Sequence, residues 1–388
     1  MYVTCYADDT LLIACGREWR RTTRLMEVGL EALIRRIRKL GLEVAIQKWS
    51  FHRLPLNRRP PETWIAVGND RIPAGPSLKY LGLILDGRLS FKEHFRQLAP
   101  RVEKVALSIG RLPPNIGGPM ESVRCLYTSV AQSMMIYGAR IWATEEALSR
   151  QNIQLLRRVQ RRMALRVIRA YSTVSTESAI ILAGMIPFDH LARAYSESYW
   201  ESRDSSTQTQ DLRANQESPK ERATRRALTR WKQELRSRAA EKRAIGSILP
   251  KWEEWAEKGP GALTYRVTQI ITGHGCFGEY LRRIGAEKTA SCHHCDAELD
   301  TARQTFTECI AFEEQRGRLI AVIGRSLTPA AIVDAILTDV TRKEAVTTFC
   351  EEVISLKEAA ESDREHPNPD RARRKKERSL NRHQQNPQ

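Results

Sequence analysis

No stretch of this sequence is apolar for anything near the roughly 20 residues that a membrane-spanning helix needs. The longest candidate, Ala179 to Phe188, is far too short. No basic segment precedes the apolar N-terminal stretch, and Asp8 and Asp9 interrupt it, so it does not read as a secretory signal. Cysteine is sparse: eight in 388 residues, scattered except for one cluster near residue 300. That usage argues against a secreted disulfide scaffold and for a reducing nucleus or cytoplasm. No internal repeat is visible. Acidic residues fall short of balance, with 46 Asp and Glu against 63 Lys and Arg, giving a net charge of +17. Such an excess favours a polyanionic partner, of which nucleic acid is the usual one, although an anionic membrane surface would fit the charge alone.

What is present begins at the N-terminus. Two adjacent carboxylates, Asp8 and Asp9, sit between two short apolar, β-prone stretches, Tyr2 to Cys5 and Thr10 to Cys15. The pattern predicts a β-hairpin. Acids at the tip would ordinarily be solvated, but the flanks are too apolar for an ordinary surface hairpin, so a buried one is expected. A hairpin presenting acids can hold Mg²⁺, which takes oxygen ligands and leaves room for substrate phosphates. Two such ions about 4 Å apart would clamp the attacking and leaving oxygens of a phosphoryl transfer.

Further along, Met26, Leu30, Leu33, Ile34, Ile37 and Leu40 recur at helical spacing, with Gly41 placed just past the end. Leu42 to Ile46 reads as a strand, as do Trp64 to Val67 and Lys79 to Leu85, the last two separated by a loop rich in Asn, Gly and Pro. From Phe91 the pattern turns helical, over Glu93–Leu112, Met120–Trp142, Glu146–Tyr171 and Glu177–Trp200. Residues 203 to 224 are polar and without period, a linker, and a basic helical stretch follows over Arg225–Arg243. A compact segment runs from about Ile245 to Leu356. The last residues, from about 361, are nearly free of apolar side chains and read as a disordered tail whose Arg373 to Lys376 form a weak basic cluster. The fold class is α+β.

Two further groups carry chemistry. Arg157, Arg158, Arg161, Arg162, Arg166 and Arg169 form a run in which the last five fall close to one helical face. A stripe of one sign is poorly explained by solubility, since mixed charges serve that better; phosphate contact explains it. Cys292-x-x-Cys295 followed by Cys309 suits a zinc knob, because a two-residue spacer lets both thiolates reach one tetrahedral ion. His293, His294 and His274 are candidates for a fourth ligand. A nucleic-acid deaminase is disfavoured, as no His-x-Glu motif precedes the thiolates.

These motifs, in this order, resemble the C-terminal part of the reverse transcriptase of non-LTR (LINE-type) retrotransposons, in the jockey-related arthropod group. Tyr6-Ala-Asp-Asp-Thr-Leu-Leu-Ile13 looks like the catalytic box. Gly41-Leu-Glu-Val-Ala-Ile-Gln-Lys48 resembles the following motif, and Leu78-Lys-Tyr-Leu-Gly-Leu-Ile-Leu-Asp86 the hairpin that grips the primer. Leu126 to Val130, Tyr137 to Trp142 and Val159 to Tyr171 look like thumb signatures, and Thr272 to Tyr280 with the cysteines like a C-terminal zinc-knuckle region. The resemblance covers roughly residues 2 to 320.

The resemblance implies the C-terminal part of a palm (1–90), a helical thumb (91–202), a polar then basic linker (203–244), a C-terminal domain with the cysteine cluster (245–360) and a basic tail (361–388). It implies Asp8 and Asp9 as Mg²⁺-binding catalytic carboxylates and Tyr6 and Lys48 as substrate-binding residues. Arg158, Arg161, Arg162, Arg166 and Arg169 would contact a template–primer duplex, and Cys292, Cys295 and Cys309 would hold Zn²⁺. RNA template, DNA primer and dNTP would be the partners. The departures are a third aspartate and the fingers, which in this family lie upstream of the box, and Gln304, where the family pattern has a zinc-binding His. The sequence therefore reads as a truncated RNA-directed DNA polymerase, inactive alone, or as a non-catalytic RNA- or DNA-binding remnant.

Overall fold

The computed structural model describes residues 1–45, 48–54, 64–68, 70–110, 121–205, 217–259 and 263–365. Ile46, Gln47, most of the polar linker and the basic tail with Arg373–Lys376 lie outside the described residues. The chain forms small antiparallel sheets and many helices, an α+β fold. It divides into two units, one of residues 1–101 and 137–156 and one of residues 102–136 and 157–388.

The first unit holds the three hairpins: β1 (Tyr2–Tyr6) with β2 (Asp9–Ile13), β3 (Trp64–Val67) with β4 (Asp70–Pro73), and β5 (Ser77–Tyr80) with β6 (Leu83–Asp86). Helix α1 (Trp19–Lys39) is strongly amphipathic, and Gly41 beyond it takes φ +75, a left-handed cap that glycine reaches without a Cβ clash. Leu30 of this helix is buried with Phe51, Ile65 and Val67, and Leu12, Met26 and Ile34 pack against them. Glu27 reinforces the join by accepting the Ala66 backbone N–H at 2.9 Å. Leu42–Ala45, expected as a strand, are irregular: Lys48 N–H turns back to the Ala45 carbonyl, so no ladder forms. β4 occupies the stretch expected as loop, because Ile65 and Ile72 pair across β3–β4 and share the apolar cluster.

Of the helices that follow, α2 is Lys92–Gly110, α3 Glu121–Ile136, α4 Ala139–Trp142 and α5 Arg150–Val167. Gly138 at φ +68 separates α3 from α4, and a Cβ there would lie 2.7 Å from the Leu83 side chain, so the expected single helix is broken at a position that needs glycine. Within the first unit, Phe95 meets Trp142 edge to face at 5.0 Å.

The second unit continues with α6 (Thr176–Leu182), α7 (Phe188–Ser205), α8 (Pro219–Arg236), α9 (Arg243–Ile248), α10 (Trp252–Lys258), α11 (Tyr265–Thr272), α12 (Gly278–Arg283), α13 (Ala302–Thr307), α14 (Glu313–Ile323), α15 (Pro329–Thr338) and α16 (Val340–Glu365). α8 thus covers much of the basic helical stretch expected over Arg225–Arg243 and begins earlier, at Pro219, within the stretch expected as polar linker. Ser218-Pro-Lys-Glu221 caps α8 reciprocally, with Pro at its first position. Ala223, Ala227, Trp231 and Leu235 then form its buried face, and Ala223 and Ala227 let α8 lie close on Leu191 and Ala194 of α7. Threonine caps open α11, α13 and α15 in the same way, each hydroxyl accepting a backbone N–H three residues on.

Candidate nucleic-acid and metal sites

The acid-bearing hairpin forms where it was expected. Tyr6 pairs with Asp9 across a two-residue turn of Ala7 and Asp8, so Asp8 stands at the tip and Asp9 opens β2. Ala7 takes φ +52, a conformation that normally calls for glycine and costs an L-residue roughly 1–2 kcal/mol. Strain is therefore held next to the first carboxylate. The hairpin is not buried as expected: every residue of β1 is exposed, and only Leu11 and Leu12 are half-buried. No other strand of the described residues pairs with the ribbon, and Tyr2, Val3, Tyr6 and Ile13 face solvent while Leu12 packs on the α1 cluster. Tyr6, Asp8, Asp9 and Lys48 are all exposed, and among the described residues no third carboxylate gathers with Asp8 and Asp9.

The Leu78–Asp86 motif forms the β5–β6 hairpin, with Leu81 and Gly82 at its turn, at φ +45 and +81. The Tyr137 hydroxyl donates to the Leu81 carbonyl at 2.9 Å, and a Cβ on Gly82 would sit 3.2 Å from the Tyr137 ring. The sequence motif around Tyr137 thus supports the turn of the motif around Leu81.

The arginine run lies on α5 but divides by role. Arg157 grips Asp189 with two parallel bonds of 2.7 and 2.9 Å, and Glu234 lies 3.6 Å from the same guanidinium. Glu234 also accepts from His190 at 2.6 Å; that hydrogen bond holds its carboxyl down to about 2, burial opposing and Arg157 assisting. Arg161 donates to the carbonyls of Ser172 and Val174 and so fixes the loop after α5. Arg162 pairs with Glu103, and Arg169 lies past the helix end at φ +55. Arg158 alone of the run is both exposed and, among the described residues, without an ion pair or hydrogen bond. Helical spacing showed the stripe but could not show these partners, which come from Glu103, Asp189 and Glu234.

Cys292, Cys295 and Cys309 converge, their sulfurs all within 4.8 Å of one another, and Cys292 Sγ is 4.0 Å from Cys309 Sγ. Tetrahedral zinc with bonds of about 2.3 Å sets its sulfurs about 3.8 Å apart, so the three thiols fit three corners of such a site. Gln304 lies beside the group, its side-chain amide 3.2 Å from Cys295 Sγ and its carbonyl oxygen buried without a partner. Burial raises Cys292 and takes Cys309 up to about 12. For Cys295 burial is outweighed by the Ala297 backbone and by the Cys292, Cys309 and Gln304 side chains, and its thiol titrates low. The histidines are held elsewhere: His293 by Glu287 at 2.7 Å, and His274 by Thr173 at 2.8 Å. His294 lies against Phe312, outside the sulfur group.

An ion pair invisible to motif reading supports the cysteine region. Lys357 of α16 meets both oxygens of Asp300 at 2.8 Å, with side chains 2% and 3% exposed. Asp300 also accepts from Gly278 N–H at 2.9 Å and the Thr305 hydroxyl at 3.0 Å. Gly278 is required here, since a Cβ would lie 2.7 Å from the Ala290 carbonyl oxygen. Among the described residues no helix is long and apolar enough to cross a membrane.

No protein-family model and no solved structure matches the chain. It is 23% identical over 350 residues to a retrovirus-related Pol polyprotein from the type-1 retrotransposable element R1 4 of Nasonia vitripennis, covering 83% of this chain and 87% of that protein. It is 26% identical over 267 residues to the R1 Pol polyprotein of Bradysia coprophila, covering 66% of this chain and 26% of that protein. A putative 115 kDa protein in the R1DM element of Drosophila melanogaster is 24% identical over 383 residues, 92% of this chain and 35% of that protein. The chain spans most of the first relative and about a third or less of the other two. These wide matches support a protein of an arthropod non-LTR retrotransposon, similar to the R1 Pol polyproteins.

Proposed function

We propose that this chain supplies the aspartate-bearing palm hairpin, the thumb and a nucleic-acid-binding C-terminal region of an RNA-directed DNA polymerase, and that alone it binds RNA or DNA without polymerising. The observation that carries the reading is the β1–β2 turn, which sets Asp8 and Asp9 side by side at the tip of an exposed, locally strained ribbon. Asp8 and Asp9 are the residues to hold Mg²⁺, which when bound neutralises the phosphates of an incoming dNTP. Two exposed carboxylates make only part of a two-metal site, so a further carboxylate has to join them. Arg158 and the surrounding basic surface engage the phosphates of template and primer, and the three cysteines bind Zn²⁺ more weakly than a four-ligand knuckle would.

The test is primer extension by the purified chain on an RNA template with Mg²⁺, beside equilibrium binding of the same template–primer. Binding without extension is expected. Extension that disappears in Asp8→Asn would overturn the inactivity, and absence of any salt-dependent binding would overturn the nucleic-acid reading.

A further inference from the structure

Away from the arginine helix and the cysteines, the second unit has a cleft of about 390 Å³ whose wall carries Lys242, Arg243, Arg283, His274 and Thr173. Glu241 is the one carboxylate of the lining and is exposed. Among the described residues no carboxylate lies within ion-pair reach of Lys242, Arg243 or Arg283. Arg243 Nε is buried with no acceptor. A buried N–H donor without an acceptor is costly; the charge of Glu279 acts on Arg243 but forms no ion pair with it, and an anion would satisfy that donor.

The remaining polar groups are already committed, which fixes their protonation. Arg283 lies 3.3 Å from His274 Nε2 and can only donate, so that nitrogen accepts and His274 Nδ1 carries the proton. Nδ1 then donates to the Thr173 hydroxyl at 2.8 Å, and Thr173 donates to the Tyr280 hydroxyl at 2.8 Å. Burial, with Arg283 and Lys242 adding, holds His274 down to about 4, which marks a cleft already crowded with positive charge. Arg243 also lines a second cleft, of about 650 Å³, with Arg325 and with Arg303, which pairs with Glu308 of the same lining at 3.5 Å. One guanidinium is thus common to two basic clefts. A single strand can thread basic grooves of this kind by its backbone.

We propose that Lys242, Arg243 and Arg283 bind successive phosphates of a single-stranded nucleic acid whose backbone runs through both clefts. The proposal rests on the nucleic-acid reading above and assigns it a strand path separate from Arg158. Thr173, His274 and Tyr280 are positioning residues, holding Arg283 against the ring of Tyr280, 5.3 Å from its centroid.

The experiment is fluorescence anisotropy of a labelled single-stranded RNA with the full chain over a range of salt, comparing wild type with Lys242→Gln/Arg243→Gln. The double variant should bind about tenfold more weakly, and its log–log salt slope should be smaller by about 1.4, roughly 0.7 for each phosphate no longer neutralised. Lys242→Gln alone, whose side chain is not part of a buried core, should lower the slope by about 0.7 and covers the case in which the double variant fails to fold. A duplex of equal length should show no change in slope. Wild-type binding with unchanged slopes in both variants would overturn the cleft assignment while leaving the nucleic-acid reading intact. No wild-type binding at all would overturn both.

Discussion

The side-chain amide of Gln304 donates to the sulfur of Cys295 at 3.2 Å, beside the three converging thiols. A neutral amide is a poor ligand for zinc, so under the proposed reading a bound ion would rest on three thiolates. Gln304→His should tighten zinc affinity by roughly tenfold or more, read by competition with a chromophoric chelator. Cys309→Ser should abolish stoichiometric zinc in elemental analysis. Equal affinity in wild type and Gln304→His would show that the cysteines are not a zinc site.

Acid should weaken the helical unit through Glu234. Its carboxyl titrates at about 2 in the folded chain against an ordinary 4.5, so its contribution is present above about pH 5 and is lost as the pH falls toward 2. The loss should be on the order of 2 kcal/mol after allowance for screening at a partly exposed site. Urea unfolding followed by tryptophan fluorescence at pH 7 and pH 3 should show this, and Glu234→Gln should flatten the dependence. An unchanged slope in that variant would count against the His190–Glu234 bond.

Breaking the Asp300–Lys357 pair one side at a time should be severe. Lys357→Met leaves a buried carboxylate with only Gly278 and Thr305 as donors and should cost about 3–5 kcal/mol. Asp300→Asn/Lys357→Met should recover much of that. If the double variant is as unstable as the sum of the single ones, the pair is not coupled.

Within the arginine run, two substitutions should separate binding from stability. Arg158→Ala should lower the salt slope for duplex binding by about 0.9 with little change in melting temperature. Arg161→Ala should instead destabilise by about 1–3 kcal/mol, since it strips the donor from the Ser172 and Val174 carbonyls. The reverse pattern would show that the exposed arginine is structural.

Local patterns were the legible part of the fold. Alternation and an acidic turn pointed to the β1–β2 hairpin, and the apolar period of Met26 to Leu40 with Gly41 marked most of α1, although the helix starts earlier, at Trp19. Breaks imposed by distant contacts were not legible. Gly138 splits a periodic helix because Leu83, far off in sequence, fills the space of a Cβ. The Cys292–Cys295–Cys309 grouping was readable from spacing, and so was the departure at Gln304 beside it. Missed were the Asp300–Lys357 pair, which joins residues 57 apart, and the basic clefts around Arg243, whose walls come from separate helices with no shared motif.

The exposed β1–β2 ribbon has a consequence for handling and for assembly. A two-stranded ribbon is marginally stable in water, and both its outer edges carry unpaired N–H and C=O groups. Tyr2, Val3 and Tyr6 add sticky apolar surface to the same strand. The ribbon is therefore a docking seam for one more strand. A strand added along β1 would cover Tyr2, Val3 and Tyr6, and left bare the seam favours self-pairing and aggregation of the purified chain.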